Sequence, residues 1–342
     1  MSDIQERILD SLEEKPRSIS EIARQLDEEE YQISKEIERM DEQGAINTHK
    51  VGRSSVCILA EGRERGEKAI SGEDVSGEVS REDVDSSVEE EVKELSKPRT
   101  IGIVSGKGGV GKTVVTLNLG VALMEFGEKV IVMDADAEMP NLGIHLGIHT
   151  TPTSLQQVVE QDVHIMSAMQ IDKDSGLRVI PTSLATEKFD GDIQEALGKI
   201  PAEYTVLIDS PPGYERPVER VVENCDELLF VTTPEIPSLS DTYRLYREAR
   251  EKGKSVIGVV VNMYDSPKDH LSIQEVEKVL DIPVIGVIPK HNHVQRSILE
   301  NEPLVSRKPY IKPSREFKNI ASDITGYPYE ETLAEKIKGW LP

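Results

Sequence analysis

From Lys97 onward, short apolar runs alternate with longer stretches whose apolar residues recur at helical spacing. Ile101–Val104, Val130–Met133, Leu177–Ile180, Tyr204–Ile208, Glu227–Thr232, Val256–Val261 and Pro283–Val287 read as strands. Between them, Val114 to Phe126 holds helical spacing and stops at Gly127, a natural C-cap. Regular strand–helix alternation predicts an α/β domain with a mostly parallel sheet flanked by helices. In such a sheet, functional residues gather at the carboxyl ends of the strands.

The first 66 residues follow another pattern. Ile4, Ile8, Leu9 and Leu12 form one amphipathic stripe, and Ser18 to Leu26 begins with capping residues and reads as a second helix. Tyr31, Ile33, Ile37 and Met40 continue into a third helix, closed near Gly44. Ala45 to Leu59 then alternates as two strands around Val51-Gly52-Arg53-Ser54. This order resembles a small winged helix-turn-helix. Its wing is basic, with His49, Lys50 and Arg53, but Glu28, Glu29, Glu30, Glu36 and Glu38 crowd the third helix and would repel phosphates. An interaction domain over residues 1–66 is the expectation, with DNA contact as the alternative. Residues 67–96 are rich in Glu, Asp, Ser and Gly and nearly free of large apolar side chains. They cannot bury enough surface to offset ordering entropy, so an acidic flexible linker is expected there.

Length and charge narrow the classes. A chain of 342 residues holds one large α/β domain and something small. A formal net charge of −23 argues against a nonspecific grip on nucleic acid across the whole surface. Cys57 and Cys225, the only cysteines, form no C-x-x-C, so neither a disulfide framework nor a zinc knuckle is indicated. The sequence has no signal peptide and no long apolar span, and a cytoplasmic protein is expected.

The chemistry is concentrated after the first strand of the α/β region. Ser105-Gly-Lys-Gly-Gly-Val-Gly-Lys-Thr113 contains G-x-x-x-x-G-K-T, the loop that cradles phosphates between a strand and a helix. The backbone of Gly106, Gly108, Gly109, Val110 and Gly111, continuing into Lys112, Thr113 and Val114, can turn successive N–H groups toward an anion at a helix N-terminus. Lys112 suits the β- and γ-phosphates of ATP, and Thr113 suits Mg²⁺. Lys107 is a second lysine that an ordinary loop does not need. Two lysines in one loop suggest that one serves another subunit's nucleotide. Two further strands end in carboxylates, at Asp134-Ala-Asp136 and at Asp209-Ser-Pro-Pro-Gly213.

With these motifs in this order, residues 100 to 326 resemble the deviant-Walker-A ATPases of the MinD/ParA family, more like MinD than ParA. Matching segments include Asn141-Leu142, Thr233-Pro-Glu235 with Ser240-Asp241, Asn262, and Gly286-Val-Ile-Pro289. The resemblance implies a P-loop NTPase fold that hydrolyses ATP with Mg²⁺. It implies that Asp134 and Asp209 hold the metal with Thr113, that Asp136 orients the attacking water, and that Lys107 reaches across a homodimer interface. Asn262 and the backbone near Pro289 match adenine-binding positions. Val114 departs from the pattern by replacing a second threonine, removing a hydroxyl from the α-phosphate side. The family's metal carriers bring paired cysteines, which this chain lacks.

MinD-like proteins end in an amphipathic membrane-targeting helix. Here Leu333, Ile337, Trp340 and Leu341 share one helical face, while Glu330, Glu331 and Glu335 oppose an anionic bilayer. The tail, residues 327–342, reads either as a membrane contact at the inner face of the cell membrane or as a packed final helix. For the ATPase domain at 97–326, the expected function is an ATP-dependent homodimer that switches membrane or partner binding, the partner being an activating or cargo protein. The alternative is an ATP-gated DNA-binding regulator.

Overall fold

The structure is a computed structural model that describes residues 3–12, 17–26, 30–42, 45–51, 54–59, 97–137, 139–149, 153–161, 163–182, 193–214, 216–265 and 271–331. The expected linker at 67–96 lies outside the described residues, as do Arg53 of the expected wing and Leu333, Ile337, Trp340 and Leu341 of the tail. The chain divides into two compact units.

The first unit runs α1 (Asp3–Leu12), β1 (Arg17–Ser18), α2 (Ile19–Leu26), α3 (Glu30–Glu42), β2 (Ile46–Val51) and β3 (Ser54–Leu59). The apolar stripes converge as their spacing requires, burying Ile8, Leu12, Ile22, Ile33, Ile37, Met40 and Ile46 together. β2 and β3 form an antiparallel pair with Ile46 opposite Leu59 and Val51 opposite Ser54. The two-residue β1 adds to the free side of β3, a pairing too short to leave an alternation in sequence.

The second unit begins β4 (Arg99–Val104), α4 (Lys112–Glu125), β5 (Lys129–Asp134), α5 (Leu142–His145), α6 (Leu155–Gln161), β6 (Gln170–Ile171), β7 (Arg178–Ile180) and α7 (Gln194–Leu197). It continues β8 (Tyr204–Asp209), α8 (Arg216–Asn224), β9 (Glu227–Thr232), α9 (Ile236–Glu251), β10 (Ser255–Tyr264) and α10 (Ile273–Leu280). It closes with β11 (Val284–Pro289), α11 (Asn292–Leu299), α12 (Leu304–Arg307) and α13 (Lys312–Thr325). Eight strands stand in the order β11-β10-β9-β4-β8-β5-β7-β6. All pairings are parallel except that of the short edge strand β6 with β7.

Strand side chains alternate between two apolar layers, because successive Cβ atoms point to opposite faces. Val104, Ile131, Met133, Val206, Ile208 and Phe230 pack in one layer with Val218, Val221 and Val222 of α8 and Leu239 and Leu245 of α9. Ile101, Ile103, Val130, Val132, Leu207 and Leu229 face the other, with α4 and with Phe317, Ile320 and Ile324 of α13. Cover on both faces explains why the central strands read as continuous apolar runs.

Candidate functional site

β4 lies between β8 and β9, and its carboxyl end opens into the glycine loop and α4. In register, Ile103 of β4 pairs with Asp209 of β8, and Asp209 pairs with Asp134 of β5. Three adjacent parallel strands therefore deliver the loop and two carboxylates to the same edge of the sheet. The Asp134–Asp209 juxtaposition follows from register alone.

The loop's glycines answer to specific contacts. A Cβ on Gly106 would lie 2.2 Å from the carbonyl oxygen of Asp241, so α9 approaches the loop main chain as closely as a glycine permits. Gly111 is left-handed at φ 89°, and a Cβ there would meet Asn262 Nδ2 at 2.4 Å. That same Nδ2 donates to the Val110 carbonyl at 2.7 Å, bracing the loop from β10. Gly111 is also the N-cap of α4 and offers no side-chain cap, so the helix N-terminus keeps its amides for an anion.

Behind the loop sits a buried polar cluster. Asp209 accepts from Thr113 Oγ1 at 2.6 Å and from Thr116 Oγ1 at 3.1 Å. Burial pushes its carboxyl up to about 6, against the pull of Lys112, Thr113 and Thr116. Asp134 accepts from the amides of Asp136 and Leu142 at 3.0 and 3.2 Å. Burial first, and then the Asp209 charge, raise it well above the usual carboxylate range. Asp136 accepts from the Met139 amide at 2.9 Å, which anchors the segment after β5. Lys112 is itself buried and donates to Ser105 Oγ at 3.0 Å. Burial lowers its ammonium, opposed by Asp209 and Asp136.

Asp134, Asp136 and Asp209 are all buried, and Lys112 is the buried ammonium among them. The cluster is short of positive charge, which is costly inside a protein. Its donors are carboxylate and hydroxyl oxygens, the hard ligands Mg²⁺ prefers. The residues present fit such an ion.

Lys107 stands apart from this cluster. Its side chain is 38% exposed, and its Nζ lies 3.6 Å from Glu235 Oε2, just before α9. Val114 is buried in the first turn of α4. Asn262 and Pro289 sit on neighbouring strand ends, where Tyr264 pairs with Pro289. Asn262 reaches back to the loop, while Pro289 closes β11 one strand further out.

Three residues join the site without having been singled out by motif. Thr116 falls one helical turn beyond Lys112 and Thr113, a spacing that puts it on their face and could have flagged it. Ser105 takes the Lys112 ammonium and donates to the Lys107 carbonyl at 2.8 Å. Tyr214, beyond the Asp209 loop, meets Asp241 of α9. No local pattern marks the last of these.

Residues 101–304 match the family described as the CobQ/CobB/MinD/ParA nucleotide binding domain. The chain belongs to the MinD/ParA family. It is an ATPase of that family, similar to an ATP-binding protein of Methanocaldococcus jannaschii at 34% identity, over 70% of this chain and 93% of that protein. It is also 34% identical to the septum site-determining protein MinD of Thermotoga maritima, over 70% of this chain and 94% of that one. Among solved structures, the cell division ATPase MinD of Pyrococcus furiosus aligns with a TM-score of 0.64 at 31% identity, covering 67% of this chain and 99% of its own. MinD of Pyrococcus horikoshii, solved with Mg-ADP, aligns at 0.64's near equal, 0.63, with 29% identity over 71% of this chain and 100% of its own. The fold expected for this MinD/ParA ATPase, a mostly parallel sheet flanked by helices around a P-loop, is the one observed.

Proposed function

We propose that this MinD/ParA ATPase binds Mg-ATP at the glycine loop, dimerises in that state, and thereby switches its hold on a partner protein or a membrane for spatial positioning. Hydrolysis resets it. The observation that carries the reading is the division of labour between two lysines of one loop. Lys112 is buried among the carboxylates, whereas Lys107 lies on the exposed rim, paired only loosely with Glu235. A cation on the rim can serve a nucleotide held by a second copy of the chain. The Mg-ADP complex of the Pyrococcus horikoshii relative supports the choice of ligand.

Lys112 then stabilises charge on the β- and γ-phosphates, and the loop amides hold the phosphate oxygens in position. Thr113, Asp209 and Asp134 would hold Mg²⁺, which when bound neutralises phosphate charge. Asp136 orients the attacking water, with its carboxylate fixed by the Met139 amide. Lys107 adds positive charge from the partner subunit, so hydrolysis depends on dimerisation. Asn262 and the Pro289 backbone border the base.

The solved MinC:MinD complex of Aquifex aeolicus, to which this chain is 28% identical, supports a protein partner for the ATPase unit. The helix and strand order of the N-terminal unit supports a winged-helix-like interaction domain. Lys107→Ala should keep ATP binding and lose nearly all turnover, while Lys112→Ala should lose binding. A Lys107→Ala protein that hydrolyses ATP at the wild-type rate contradicts the trans role.

A further inference from the structure

Past Asp209 the chain turns through Pro211, Pro212 and Gly213 into Tyr214, a residue that none of the roles above uses. Its hydroxyl lies 3.5 Å from Asp241 Oδ1. The guanidinium of Arg244 covers its ring, with Cζ 4.1 Å from the centroid. Asp241 and Arg244 are three residues apart on α9, so one helix face holds both the hydroxyl and the ring. Arg244 is steadied in turn by Glu248 at 3.5 Å.

The same turn of α9 abuts the phosphate loop. The Asp241 main chain leaves no room for a Cβ on Gly106, and Glu235 at the start of the helix pairs with Lys107. On its other side, Tyr214 follows Gly213, whose amide donates to the Ser105 carbonyl at 3.1 Å. Gly213 is left-handed at φ 98°, with open space where a Cβ would stand. These contacts close a circuit from Ser105 and Gly106 through α9 to Tyr214 and back through Gly213. A loop beside a terminal phosphate can change partners when that phosphate arrives. If the Gly213 amide leaves Ser105 for a phosphate oxygen, Tyr214 moves with it, and α9 cannot stay indifferent to its own clamp.

We propose that Tyr214 is a positioning residue for ATP hydrolysis, clamped by Asp241 and Arg244 so that α9 sets the Gly213 backbone at the phosphate site and responds when a γ-phosphate is bound. The inference rests on the ATPase reading above. It does not require a particular partner or a membrane.

The test uses the full chain and compares ADP with ATPγS affinity, together with the hydrolysis rate. Tyr214→Ala and Arg244→Ala should each weaken ATPγS binding by about fivefold, the scale of a single cation–π contact, and slow turnover. ADP affinity should stay unchanged. Tyr214→Phe and Arg244→Lys, which keep a cation over a ring, should retain most of the discrimination. Equal weakening of both nucleotides, or no change in either, overturns the inference. Arg244 is 61% exposed, so its variants report even if Tyr214→Ala does not fold. A wild type that binds neither nucleotide overturns both the function and this inference. A wild type that turns over ATP, with all variants like it, overturns the inference alone.

Discussion

At the scale of single residues, the glycine loop is constrained by what touches it as much as by what it binds. Gly106→Ala would drive a Cβ into the Asp241 main chain, a contact that no rotamer can relieve. Overpacking of this kind costs about 1–3 kcal/mol. The variant should melt earlier and bind ATP more weakly, which calorimetry and nucleotide titration would check. Cys225 offers a contrast. Burial pushes its thiol far up, so it should resist alkylation in the folded protein and react only after unfolding, as mass spectrometry of its peptide would report. A Cys225 that labels promptly in native protein would contradict its place in the core. The residues legible in sequence were those fixed by local spacing: the loop glycines, Lys112, Thr113 and the carboxylates that follow apolar runs. Tyr214 is not legible as a site residue, because its partners Asp241 and Arg244 lie on α9 and no local pattern records such contacts. Ser105 directly precedes the glycine motif, and its bonds to Lys107 and Lys112 stay within that loop.

Among the elements, the strands that continue as apolar runs are readable, even the three-residue β7, whereas β10 runs three residues past its apolar run and the shortest pieces leave no pattern. β4, β5, β8, β9 and β11 fall within a residue or two of their apolar runs, since a strand covered on both faces has no polar positions to blur it. β6 is two residues long and α7 four, below the length at which either period can register. Nor does a linear pattern say that β4 stands between β8 and β9, because strand order is decided by nonlocal packing. The last helix of the described chain, α13, closes one face of the sheet by inserting Phe317, Ile320 and Ile324. Phe317 is fully buried, and Phe317→Ala should lower unfolding free energy by about 3–5 kcal/mol in a denaturant titration. A loss below about 1 kcal/mol would mean that α13 is not part of the core.

For the whole molecule, the proposed switch would act through the N-terminal unit or through residues 327–342. One short amphipathic helix holds a bilayer weakly, and two presented by a dimer hold it far better. Sedimentation with anionic liposomes should therefore require both Mg-ATP and residues 327–342. Pelleting of a chain ending at Gly326 would remove the tail from the account. The net charge of −23 makes this dependence sharper, since the rest of the surface offers an anionic bilayer little general attraction. The proposed switch requires ATP to join two chains through Lys107, and sedimentation equilibrium on the Asp136→Ala protein reads that step. With Mg-ATP the mass should be twice the 38.0 kDa of one chain, and with Mg-ADP it should be that of a single chain. Adding Lys107→Ala should return the ATP state to one chain; a single-chain mass for Asp136→Ala in both nucleotides would contradict the account.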